Sequence, residues 1–87
     1  MLTPQTDAEP SSQTIRVTID RKRRAGKSVT VAAGFQLGAE SLAALAAALK
    51  KKCGAGGTAH DGEIEIQGDH LARVAAELQR LGYRVRT

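Results

Sequence analysis

The run TIRVTIDRKRRAGKSVTVAA, from Thr14 to Ala33, decides how the rest of the chain is read. Its first part alternates Ile15, Val17 and Ile19 with polar residues, and its last part alternates Val29, Val31 and Ala33. Alternation with period two puts each set on one face of a strand. Between them, Asp20 to Ser28 holds five of the chain's thirteen basic residues: Arg21, Lys22, Arg23, Arg24 and Lys27. The run reads as a β-hairpin with a basic tip turning at Gly26. Five like charges on one folded loop repel one another, which points to a polyanion that meets them, above all a phosphate backbone. A solvated loop that guards a sheet edge is the alternative. Ala25-Gly26-Lys27-Ser28 has the look of a P-loop end, but position 21 holds arginine where that motif needs glycine. The chain also continues as strand where the motif needs a helix, so nucleotide binding there is rejected.

Downstream, Gly34 to Gly38 ends the strand pattern and an alanine-leucine run from Ala39 to Cys53 reads as a helix. Leu42, Leu45, Ala46, Leu49 and Cys53 form its buried stripe. Lys50, Lys51 and Lys52 fall in its last turn, where cations complement the helix dipole and are also available to phosphate. Gly54-Ala55-Gly56-Gly57 stops the helix. Thr58 to His60 and Glu63 to Gln67 then read as a second hairpin closed by Asp61-Gly62, with Ile64 and Ile66 inward and Glu63, Glu65 and Gln67 outward. Asp69 is expected to cap a second helix whose stripe is Leu71, Val74, Ala75, Leu78 and Leu81, with Gly82 ending it. Tyr83 to Thr87 alternates once more as a last strand, with Tyr83 and Val85 inward. The order ββαββαβ implies an α+β two-layer sandwich, a mixed sheet with both helices packed on one face.

Eighty-seven residues make one domain. Residues 1–13 contain both prolines and little that is apolar, and are expected to form a flexible tail ahead of a folded domain at 14–87. The net charge of +4 becomes +6 once the tail's Asp7 and Glu9 are set aside. Phe35 and Tyr83 are the only aromatics, so a base-stacking platform is missing and any nucleic acid is held through phosphate and shape. No apolar run is long enough to span a membrane and no signal peptide opens the chain, so the cytoplasm is the expected compartment. Cys53 excludes an internal disulfide and, with only His60 and His70 beside it, supplies no zinc spacing; it reads as a small packed side chain. Neither histidine has an evident nucleophile or carboxylate partner, asparagine is absent, and no catalytic site, metal or cofactor is called for.

Three motifs carry a resemblance. They are Arg-Lys-x-x-x-Gly-Lys-x-Val-Thr at 21 to 30, Leu-Lys-Lys-Lys-Cys-Gly-x-Gly-Gly-Thr at 49 to 58, and Asp-Gly-x-Ile-Glu-Ile-Gln-Gly-Asp at 61 to 69, with Leu-Gly-Tyr following at 81 to 83. With the element order, they make residues 15 to 85 resemble eukaryotic translation initiation factor 1 and its bacterial and archaeal YciH-type relatives, the SUI family. The resemblance implies a non-enzymatic, monomeric factor that binds the small ribosomal subunit and its rRNA near the decoding site. There it would influence start-codon selection in the vicinity of initiator tRNA and of other initiation factors. It also implies that Arg21 to Lys27 reach toward the P site, that Lys50, Lys51 and Lys52 lie against rRNA, and that Gly26, Gly54, Gly57, Gly68 and Asp69 are structural. Arg24 and Ala25 stand where bacterial relatives often have glycine, making this loop more basic and stiffer. A general basic RNA-binding module, a stress-conditional regulator of translation and a protein adaptor using Asp61, Glu63 and Glu65 remain the alternatives.

Overall fold

The computed structural model describes residues 9–24 and 27–87, and for residues 22–24 the backbone alone. Five strands and two helices follow in the order β1 (Thr14–Arg24), β2 (Lys27–Ala33), α1 (Ala39–Cys53), β3 (Gly57–His60), β4 (Glu63–Gln67), α2 (Leu71–Arg80) and β5 (Arg84–Arg86). The sheet order is β3-β4-β2-β1-β5, with β1 and β5 parallel and every other neighbouring pair antiparallel. This is the expected α+β sandwich of type ββαββαβ.

Both helices close one face of the sheet over a single core. Ile15 and Val17 from β1, Ile64 and Ile66 from β4, Leu42, Ala46, Leu49 and Cys53 from α1, and Val74 and Leu78 from α2 are all buried. Leu45, Leu71 and Val85 pack against them from partly buried positions. Tyr83 meets Phe35 edge to face, with ring centroids 5.5 Å apart, where the core closes at the start of β1 and β5. Such a pair adds a directional contact to its burial.

Register shows which stripe of β2 faces the helices. Val17 pairs with Ala32 and Ile19 with Thr30, so Thr30 and Ala32 share the helix-facing side with Ile15 and Val17. Val29, Val31 and Ala33 do form one stripe, but on the opposite, uncovered face of the sheet. Val29 and Val31 are nonetheless buried, because β2 is the central strand and is flanked on that face by Thr18 and Asp20 of β1 and Glu65 and Gln67 of β4.

The turns follow from residue chemistry. Gly54 ends α1 in the left-handed region (φ 63°), its own N–H and that of Ala55 donating to the carbonyls of Lys51 and Lys50. Gly57 has a different reason: a Cβ there would collide with the Glu65 carbonyl oxygen. Asp61 and Gly62, both at positive φ, make the two-residue hairpin turn.

Two expectations are corrected. Leu81 does not belong to the buried stripe of α2; it is the helix's C-cap and is exposed. Within the expected tail, Pro10–Ser12 form a 3-10 turn and Gln13 is buried at 1% exposure. The Gln13 side chain accepts the Gln36 N–H at 2.8 Å and its carbonyl accepts the Arg84 N–H at 3.2 Å. A polar residue thereby ties the approach to β1 to two distant segments. Residues 1–8 lie outside the described residues.

Candidate nucleic-acid interface

One end of the sheet gathers most of the cations. β4 ends where Gln67 pairs with Val29, so β1 and β2 run on beyond it as a two-stranded ribbon, with Arg24 opposite Lys27 and an irregularity in β1 between Asp20 and Arg24. Pairing of Gly57 with Ile66 brings the C-terminus of α1 to the same end. The Gly68 N–H donates to the Ser28 carbonyl at 2.8 Å and places the start of α2 there as well. The ribbon, the last turn of α1 and the first turn of α2 are thus neighbours. The molecule measures 47 Å along its long axis against 21 and 20 Å across it.

Contacts link these parts. Arg21 follows the helix-facing stripe of β1 past the sheet and sits 3.7 Å from Asp69, both side chains largely exposed. Lys27 is exposed; the side chains of Lys22, Arg23 and Arg24, and Gly26 itself, lie outside the described residues. In α1, Lys50 is half-buried, Lys51 is exposed, and Lys52 reaches to 3.7 Å from the nearly buried Glu77 carboxylate. The Arg73 guanidinium donates to the Lys52 carbonyl at 3.5 Å. Asp69, His70, Leu71, Ala72 and Arg73 line an open depression of about 340 Å³ beside the ribbon.

Asp69 does not cap α2, against expectation. The N-cap is His70 and no side chain caps it. The Thr30 hydroxyl, buried in the sheet, holds this corner instead: it donates to the Gly68 carbonyl at 2.7 Å and accepts the His70 N–H at 2.8 Å. Asp69 is left to face Arg21.

Glu77 is the second residue that sequence reasoning passed over. Arg80 grips its carboxylate with both Nε, at 3.1 Å, and Nη2, while Lys52 approaches from α1. Hydrogen bonds from Arg80, with the charges of Arg80 and Lys52, hold the Glu77 carboxyl below the usual glutamate range. The Glu77–Arg80 spacing of three is a readable helix pair. The Lys52 and Arg73 contacts have no local signature.

Elsewhere the chemistry is sparse. Burial pushes the Cys53 thiol up, against the opposing charge of Arg73, so it is a packed thiol and a poor nucleophile. His60 is half exposed and stands 3.7 Å from Asp61 and 3.8 Å from Glu65. Among the described residues there is no cluster of His, Cys, Asp and Glu that could hold a metal ion, and no helix is long and apolar enough to cross a membrane. What the basic end can do is hold phosphate through side chains on three elements.

A family model described as translation initiation factor SUI1 matches residues 11–84. An uncharacterized protein of Synechocystis sp. is 43% identical over 82 residues, covering 94% of this chain and 74% of its own. A protein translation factor SUI1 homolog of Picrophilus torridus is 38% identical over 85 residues, 97% of this chain and 85% of its own. Another from Sulfurisphaera tokodaii is 44% identical over 71 residues, 82% of this chain and 70% of its own. The chain belongs to the SUI1 translation initiation factor family.

Proposed function

We propose that this chain is a non-enzymatic initiation factor that binds the small ribosomal subunit through rRNA phosphates near the decoding site. In this reading it acts as a cytoplasmic monomer without a cofactor and biases the pairing of initiator tRNA with the start codon. The observation that carries the reading is the convergence of the basic ribbon, Lys50 to Lys52 and Arg73 on one end of a SUI1-family domain. A narrow ribbon can enter a cleft that the 20 Å-wide body cannot. Its charges would enter with it, while the two helix ends lie against the rim. Base-stacking aromatics are absent from this end: Phe35 and Tyr83 are in the core. The grip is therefore one of charge and shape, and codon discrimination would come from where the protein sits.

Co-sedimentation with purified small subunits, with and without initiator tRNA and at several salt concentrations, tests the reading. The wild type is expected to bind subunits in preference to arbitrary duplex RNA at matched salt. Replacing Arg21, Lys22, Arg23 and Arg24 with serine should leave the melting temperature near the parent's. The slope of log affinity against log salt should become shallower by roughly 2 to 4, as fewer counterions are released. Equal affinity for subunits and duplex RNA would point to a general RNA-binding module and overturn the proposal.

A further inference from the structure

A second cationic surface lies on the side of the sheet that the helices leave uncovered. Parallel pairing sets Thr14 beside Arg84 and Arg16 beside Arg86, with Ile15 beside Val85 between them. Ile15 and Val85 point into the core, so Arg16, Arg84 and Arg86 face outward together, and all three are exposed. Adjacent strands lie about 4.8 Å apart and two residues span about 6.6 Å along a strand, which makes the patch compact. Among the described residues none of the three guanidiniums has a carboxylate partner. The acids of this face are Asp20, four residues beyond Arg16 toward the ribbon end of β1, and Glu63 and Glu65 on β4, one strand beyond β2, where Glu65 stands by His60. The three arginines thus gather where β1 begins beside β5, away from Asp20 and from the acids of β4.

Guarding an edge strand explains a charge on β5. It does not explain Arg16, which is on an interior strand and directly beside Arg86, a like-charge cross-strand pair that costs stability. We propose that Arg16, Arg84 and Arg86 form a second phosphate-contact surface that grips an RNA segment separate from the one at the ribbon, an inference that rests on the small-subunit reading above. A guanidinium fork matches the oxygens of a phosphate. The exposed hydroxyls of Thr14 and Thr18 share the face and can donate to phosphate or sugar oxygens. A membrane fits poorly, because the one exposed large apolar side chain among the described residues, Leu81, is on α2's end. The exposed side chains of β1 and β5 on this face are arginines and threonines, which give a protein partner no large apolar anchor. Arg16 and Arg24 are eight residues apart on β1, roughly 25 Å in an extended strand, too far to share one phosphate. Two separated contacts would fix the protein's orientation.

The test compares subunit affinity and its salt dependence for wild type, the ribbon variant, and Arg16→Gln/Arg84→Gln/Arg86→Gln, with thermal melts to establish folding. The triple variant is expected to bind on the order of tenfold more weakly, with a slope shallower by about 2 to 3. The changes should add to those of the ribbon variant, because the sites are distant. A triple Arg→Lys variant should keep the slope. If the triple Gln variant does not fold, Arg84→Gln/Arg86→Gln on the edge strand should still lower the slope by about 1 to 2. Parental affinity and slope in a folded variant, alongside a weakened ribbon variant, would overturn this inference and leave the small-subunit reading standing. Weaker subunit binding with unchanged binding to protein-free rRNA would assign the patch to an acidic protein segment and also overturn it. A wild type that does not bind subunits at all removes both readings.

Discussion

At position 30 a single hydroxyl joins β2 to the start of α2, forty residues further along the chain. Thr30 is 1% exposed and both of its hydrogen-bonding roles are used, as donor to Gly68 and acceptor from His70. Thr30→Val keeps the shape and leaves a carbonyl and an N–H unpaired in a part-buried corner. It should cost about 1–3 kcal/mol. Asp69→Ala, which removes only an exposed ion pair with Arg21, should stay within roughly 0.5 kcal/mol of the parent. Urea denaturation of both variants checks this, and a larger loss for Asp69→Ala would restore that residue as the structural cap. The assignment of the cap to Asp69 rested on a local rule, that an acid just before an apolar periodic run accepts first-turn N–H groups. A hydroxyl arriving from another strand leaves no mark in the neighbouring sequence. For the same reason the role of Gln13 was not legible: a polar residue at the edge of a polar stretch gives no sign of burial.

The elements themselves were largely readable. Ala39–Cys53 is bounded by Gly38 and by Gly54 in its left-handed turn, and the Asp61-Gly62 hairpin is a two-residue signal with a direct backbone cause. The face of β2 was a different matter. Period two separates two stripes and cannot say which one meets the helices, and in a central strand both contain small or apolar residues. In α2 the stripe holds through Val74 and Leu78 and fails at Leu81, where the helix has ended. Glu77, inside that helix, gives a pH-dependent prediction. Its folded-state pKa is depressed, so its contribution is fully present above the unfolded value of about 4.3 and is lost as pH falls through the lower folded value. The urea midpoint of Glu77→Gln should therefore lie below the wild type's at neutral pH and converge with it in acid. A gap that stays constant with pH would mean that packing, and not the carboxylate's ion pairs, accounts for the difference.

For the whole molecule, the basic run and the lysine triplet were visible in the sequence as charge. That they share one end of the sheet was not visible, because it follows from β4 ending at Gln67 and from the pairing of β3 with β4. The alternation Arg84-Val85-Arg86 was equally plain, but its meaning needed the parallel register that sets Arg86 beside Arg16. Chain order does not reveal that the first and last strands are partners.

That partnership also matters while the chain is being made. β1 and β2 can pair once both have emerged, but the other edge of β1 has no partner until residues 84–86 have followed. At about 5–20 residues per second the wait lasts several seconds, with unpaired backbone groups of β1 open to a wrong neighbour. Closing the long loop costs entropy before its contacts repay it, so β5 should dock after the main folding barrier. In refolding kinetics, Val85→Ala should accelerate unfolding and leave the folding rate nearly unchanged, whereas Val17→Ala should slow folding. A Val85→Ala variant that folds as slowly as Val17→Ala would put the last strand in the nucleus. Otherwise the nascent domain passes through a stage with one raw seam, which only its own last residues close.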